Sequence, residues 1–315
     1  MLPAPRGAAP AALVLGTMNF GRRTPPAEAR AIVDRALDAG VSWLDTANLY
    51  TDGESERLVG AALRGRRERV LLATKVGAGR VGRAPEGLSG ARVRAACDES
   101  LARLGVDHVD LYLLHVPDPA TPLAETLEAV EALRASGKIR AWGVSNHAAW
   151  QVERLHHLAR AAGMPAPVCA QQLFNVAVRQ LELEWFRFAA DVGLHTSVYN
   201  PLAGGLLAGH HVPDHVPRGS RFDGNGLYRR RYWQPGLFAL VERLRALAAA
   251  HGLALVDLAY GALLAHPGVD SIVLGPATVA HLEAALAARP LEPALADAVR
   301  AAYLDHVGTD ASYAR

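Results

Sequence analysis

The sequence predicts an α/β fold, a (β/α)8 TIM barrel with extra helices and a long loop after its seventh strand. Three observations lead there. Eight short apolar runs alternate with longer segments of helical periodicity, the pattern of repeated strand–helix units. Several of the runs are continuously apolar, as strands covered on both faces are. The 315 residues suit one barrel, and no composition break divides residues 1–315 into separate domains. The count of eight alone also permits a large open sheet.

In chain order, the strands are expected at residues 12–15, 41–44, 70–74, 109–114, 139–145, 167–170, 194–199 and 271–274. Helices are expected at 27–38, 54–63, 89–104, 122–136, 148–162, 181–190, 237–250 and 253–265, with a last one over 293–307 closing across the barrel. Gly40, Gly105, Gly137 and Gly163 follow four of these helices, where a left-handed residue ends a helix. Ser55 and Ser89 stand where N-caps belong. The connection 200–234 is rich in Gly, Pro, His and Arg, and loops of that length in compact domains are usually functional or disordered.

Composition excludes several classes. The net charge is +2 and no long run carries one sign, so no nucleic-acid partner is expected; Arg229, Arg230 and Arg231 read as a solvated spot. Cys97 and Cys169 have no CxxC or metal-type spacing, which fits a reducing compartment. The N-terminus lacks an apolar core of the signal-peptide type, and no apolar run reaches the ~18 residues of a membrane helix. The cytoplasm is the expected location, without a membrane partner. Gly77, Gly79 and Gly82 match GxGxxG after a strand, but no helix opens at the third glycine, so the segment reads as a loop. His210 and His211 lack acidic or cysteine partners at ligand spacing, and no metal is expected.

Active sites of this architecture lie at the C-terminal strand ends. There the sequence supplies Gly16, Thr17 and Met18; Asp45 and then Tyr50; Lys75; His115; Ser145 and Asn146; Gln171; Tyr199 and Asn200; and Gly275. A tyrosine ordinarily titrates near 10, so it is a useful acid only where its anion is stabilised. A nearby ammonium does that, a carboxylate keeps the ammonium charged against burial, and an imidazole bonds the same reacting oxygen. Asp45, Tyr50, Lys75 and His115 together therefore suit proton donation to a carbonyl oxygen. Each has a plainer reading by itself: a strand-end cap, a loop aromatic, a solvated charge and a half-buried histidine.

These residues carry a family resemblance. Leu44, Asp45, Thr46 and Ala47 with Tyr50, then Thr74, Lys75 and Val76, then Leu113, Leu114 and His115, and the stretch from Gly137 to Asn146 resemble the aldo-keto reductase superfamily over nearly the whole chain. The closest likeness is to its aflatoxin-aldehyde and succinic-semialdehyde reductase branch. It is carried by Gly16 to Met18, Gln171, Phe174, Asn175, residues 179–182, 199–207 and 228–233. The resemblance implies NAD(P)H-dependent reduction of an aldehyde or ketone, with Tyr50 as general acid, Lys75 and Asp45 tuning it, and His115 orienting the carbonyl. It implies a cofactor site of Met18, Asp45, Ser145, Asn146, Gln171, Tyr199, Asn200, Pro201, Leu202, Gly204, Leu206, Arg221, Gly275, Thr278 and His281. It implies substrate contacts from Asn48, Tyr228, Arg231 and Arg315, the arginines meeting an acidic group, and it implies a homodimer. NADPH is the expected cofactor, with NADH left open by Ala277, His281 and Ala285, where the branch carries polar residues. Asn48, where the branch is apolar, and the missing aromatic before Arg315 favour a more polar substrate. Two rival readings are a non-catalytic NAD(P)H-binding regulatory module on the same barrel and a metal-dependent barrel hydrolase.

Overall fold

The computed structural model describes residues 4–7 and 9–309. Eight parallel strands close into a barrel: β1 (Ala12–Gly16), β2 (Trp43–Asp45), β3 (Leu71–Val76), β4 (Val109–Leu114), β5 (Ile139–Ser145), β6 (Cys169–Leu173), β7 (His195–Tyr199) and β8 (Ser271–Leu274). Each strand pairs with its sequence neighbours, and β1 closes the ring by pairing Ala12 with Ser271 and Gly16 with Asp45. The fold is a TIM barrel.

Helices α1 (Pro26–Asp38), α2 (Glu54–Leu63), α3 (Gly90–Leu104), α4 (Leu123–Ala135), α5 (Ala149–Ala161) and α6 (Trp185–Asp191) connect the first seven strands. After β7 the chain forms α7 (Gly226–Tyr232), α8 (Pro235–Ala250) and α9 (Leu255–Ala265) before β8. Helices α10 (Val279–Ala287) and α11 (Pro293–Val307) follow. The main apolar core lies between the strands and the helices around them, with Leu15, Ile32, Leu72, Val93 and Ile272 fully buried. A second core packs α8, α9 and α11 against the segment after β7. Among the described residues no single helix is long and apolar enough to cross a membrane.

Several boundaries differ from those expected. β2, β3 and β6 each run further toward the C-terminus, so Asp45, Lys75 and Gln171 lie inside strands rather than after them. A strand lining a barrel's rim can end on polar side chains, which a search for apolar runs cuts off. Ser89 does cap its helix, accepting from Arg92 N, but Ser55 is no cap. It lies within α2, and its hydroxyl bonds Thr17 and Thr46 beneath the rim. The expected helix 181–190 divides into a 3-10 turn at Gln180–Glu182 and α6. The GxGxxG segment is a loop carrying a small antiparallel hairpin, Arg80–Val81 against Ala84–Pro85.

Candidate active site

Alternation along the strands decides which side chains enter the barrel. Val14, Trp43, Ala73, Leu111, Leu113, Ala141, Cys169 and Val273 form its apolar interior. Two residues further up the same strands come Asp45, Lys75, His115 and Gln171, and Ser145 lies four beyond Ala141. The interior leaves little room at Gly143, where a Cβ would lie 2.3 Å from the Cys169 carbonyl oxygen.

Lys75 and Asp45 are sealed from solvent. Lys75 Nζ donates to Asp45 Oδ1 at 2.5 Å and to the Thr46 carbonyl at 2.7 Å, and Gln171 Nε2 donates to Asp45 Oδ2 at 2.8 Å. Burial works to lower Lys75, but Asp45 and Tyr50 outweigh it and hold the ammonium above its ordinary value. The Tyr50 ring centroid lies 5.1 Å from Lys75 Nζ and 6.0 Å from the His115 ring, which it meets edge-on. Burial pushes the Tyr50 hydroxyl up, and Lys75 pulls it part of the way back. Burial, then the positive charge of Lys75, pushes His115 down to about 3, so its ring is neutral at pH 7. His115 Nδ1 is buried without a partner among the described residues.

The backbone holding Tyr50 is unusual. Thr51, Asp52 and Gly53 follow it with φ of 50°, 53° and 84°. A β-branched residue is rare in this left-handed region. Thr51 Oγ1 donates to the Phe20 carbonyl at 2.9 Å, pinning the turn to the loop after β1. At Gly53 a Cβ would lie 2.5 Å from Arg103 Cδ, and Arg103 in turn pairs with the buried Glu56.

Polar groups suited to a carboxamide line the next part of the rim. Ser145 and Gln171 are register partners on β5 and β6. Asn146, at φ 61°, donates to the His115 carbonyl at 2.9 Å, and its Oδ1 accepts from the Tyr199 hydroxyl at 2.6 Å. Burial pushes Tyr199 up to about 12, with Arg231 pulling against it. That interaction sets Arg231, on α7, beside the end of β7. Tyr228 on the same helix is close enough to raise Tyr50.

Beyond β7 the backbone turns left-handed at Asn200, Ala203, Gly204, Gly205 and Gly209. A Cβ on Gly204 would meet Tyr228 Cδ1 at 2.7 Å. Asn200 Nδ2 donates to the buried Tyr232 hydroxyl at 2.7 Å, and its Oδ1 accepts from Gly204 N. Pro201 and Leu206 are buried, Leu206 in the second core, and Leu202 is half-buried. Arg221 Nη2 donates to Asn19 Oδ1 at 2.6 Å, while Asn19 Nδ2 donates to the carbonyls of Gly275 and Pro276. Asn19 thereby ties the loop after β1 to the long loop and to the end of β8. Its own carbonyl accepts from the backbone of Arg22 and Arg23. Neither of those arginines makes an ion pair among the described residues. Partial burial, then repulsion from Arg221 and Arg22, lowers Arg23.

The structure thus gathers Asp45, Tyr50, Lys75, His115, Ser145, Asn146, Gln171, Tyr199, Tyr228 and Arg231 at one end of the barrel. Met18 is exposed in the loop after β1. Thr278 caps α10, accepting from His281 N, and His281 Nδ1 accepts from Ala277 N, so both are engaged within their own turn. Asn48 is turned toward the hairpin loop: its Nδ2 donates to Glu86 Oε1 at 2.6 Å and its Oδ1 is buried with no partner among the described residues. Arg315 lies outside the described residues. Sequence reasoning missed Asn19, Arg23 and Glu86, whose roles arise from contacts far along the chain.

A sequence model of the aldo/keto reductase family matches residues 12–303. Human aflatoxin B1 aldehyde reductase member 2 is 38% identical over 96% of this chain and 88% of its own. Human aldo-keto reductase family 7 member A3 is 36% identical over 93% of each chain. A probable voltage-gated potassium channel subunit beta of Oryza sativa subsp. japonica is 30% identical over 82% of this chain and 80% of its own. The chain belongs to the aldo/keto reductase family, in the aflatoxin aldehyde reductase branch, and is an NAD(P)H-dependent oxidoreductase.

Proposed function

We propose that the protein reduces the carbonyl of an aldehyde or ketone to an alcohol with NADPH, and that Tyr50 donates the proton. The observation that carries this reading is the solvent-sealed Lys75–Asp45 pair lying against the Tyr50 ring. The nicotinamide, when bound, supplies the hydride. The phenol gives its proton to the carbonyl oxygen, and the Lys75 ammonium stabilises the phenolate left behind. Asp45 holds that ammonium charged and aimed. Neutral His115 offers a hydrogen bond to the same oxygen and adds no charge of its own.

The residues present fit the cofactor. Ser145, Asn146 and Gln171 offer donors and acceptors for a carboxamide, and Tyr199 offers a flat aromatic face. Gly204 and Gly205, left-handed and without side chains, allow the close backbone approach a pyrophosphate needs. Arg221 and Arg23, joined at Asn19 and free of acid partners among the described residues, favour the 2′-phosphate of NADPH. Glu28 already accepts from Val279 N at the start of α10. The arginines, rather than that helix terminus, then carry the preference. Arg231, beside Tyr199, favours a substrate with a carboxylate.

Replacing Tyr50 with Phe tests the reading. Turnover is expected to fall by about 10²–10⁴, while NADPH binding, followed by fluorescence quenching, stays within about twofold. Near-normal turnover by the variant would refute the assignment.

A further inference from the structure

A cavity of about 390 Å³ lies between the loop after β4 and the first turns of α5. None of Asp45, Tyr50, Lys75 or His115 lines it. The hydrogen bond from Asn146 Nδ2 to the His115 carbonyl links the same two strand ends.

Three groups in the lining have capacity to spare among the described residues: His147 Nε2, the Trp150 indole and the Arg154 guanidinium. His147 is only 5% exposed. Its Nδ1 lies 2.8 Å from the Ser145 carbonyl oxygen, which can only accept, so Nδ1 carries the proton. Burial lowers this histidine, with the Ser145 bond opposing, and the ring is neutral at pH 7. Nε2 is then a bare acceptor, with no partner among the described residues. Trp150 is 65% exposed, the most exposed large hydrophobic side chain among the described residues. Arg154 follows one turn later on the same face of α5 and makes no ion pair or hydrogen bond among the described residues. The one carboxylate in the lining, Asp118, is engaged by Leu88 N, Ala120 N and Thr121 Oγ1, and leaves the guanidinium unopposed.

We infer that this cavity is a second small-molecule site for a flat aromatic carboxylate that also bears a hydroxyl. The ring lies on the Trp150 indole, the carboxylate meets Arg154, and the hydroxyl donates to His147 Nε2. An aromatic face suits an indole, and a carboxylate matches the fork of a guanidinium. His147 Nε2, left without the ring proton, accepts a hydrogen bond from the ligand hydroxyl. An aliphatic acid lacks the first contact, a phenol the second and benzoate the third.

Calorimetric titration of the whole protein with 4-hydroxybenzoate tests this. One equivalent is expected to bind. Arg154→Gln, Trp150→Ala, or benzoate in place of the probe should each weaken binding about tenfold or more, roughly one hydrogen bond or contact's worth. Arg231→Ala should leave it unchanged. Circular dichroism checks that the two α5 variants, both altered at exposed positions, are folded. Absence of binding at about 10 mM would overturn the inference, and so would loss on Arg231→Ala with Arg154→Gln unaffected, since the probe would then sit in the active site. A wild-type dimer that Trp150→Ala converts to monomer in sedimentation would also overturn it, because the indole would then be covered by a second copy.

Discussion

Lys75 Nζ and Asp45 Oδ1 stand 2.5 Å apart across 30 residues of sequence, both closed off from water. Breaking a buried pair by removing one partner costs about 3–5 kcal/mol, because the remaining charge is left uncompensated. Asp45→Asn is therefore expected to lower stability by about that amount in urea unfolding. It should also reduce turnover at least about 100-fold, as the amide can no longer keep Lys75 charged beneath the phenol. A variant of wild-type stability and rate would show that the pair is not the source of Tyr50's acidity.

The pH profile should be one-sided. Tyr50 titrates above its ordinary value near 10, so it stays protonated, and able to donate, throughout the neutral range. Carbonyl reduction is expected to be flat from about pH 5 to 9 and to fall only as Tyr50 loses its proton. Alcohol oxidation, which needs the phenolate, should rise with pH instead. His115, pushed down to about 3, should leave no inflection near 6.5. An inflection there that disappears on His115→Asn would contradict the neutral assignment.

Arg231 acts on the Tyr199 hydroxyl and is the residue proposed to meet a substrate carboxylate. Arg231→Ala should raise KM for a carboxylate-bearing aldehyde about tenfold, the loss of one charge-assisted hydrogen bond, and leave a neutral aldehyde of similar size unaffected. Equal changes for both substrates would remove Arg231 from substrate recognition.

Arg23 is grouped with Arg221 and Arg22 and is not among the charges acting on Tyr50, Lys75 or His115, so its effect should show in binding alone. Arg23→Ser is expected to weaken NADPH about tenfold by fluorescence titration while NADH affinity stays the same, since only the former carries a phosphate for the guanidinium. If both cofactors weaken alike, the 2′-phosphate reading fails.

The barrel was legible because its strands are covered on both faces, and an apolar run is all a local search requires. Asp45, Lys75 and His115 were legible because they fall where those runs end. Gln171 was placed one step too late, since its strand continues through two polar residues that face the rim and their neighbours. Ser55 looked like a cap by spacing, yet its hydroxyl is used by Thr17 and Thr46, which only the closed barrel brings near. Helix α7 escaped notice because it is seven residues long, rich in arginine and started by the side chain of Asn225. The Arg221–Asn19 bond spans 202 residues and leaves no local trace.

The left-handed run after Tyr50 makes the proposed proton donor part of the scaffold. A conformation that costs roughly 1–2 kcal/mol per L-residue is held here by the Phe20 carbonyl and the Arg103 stem, so neither coenzyme nor aldehyde has to arrive before the phenol takes its bearing. What is fixed in advance need not be ordered during turnover, and the aim of this acid becomes an inheritance from β1 and α3 instead of a consequence of catalysis.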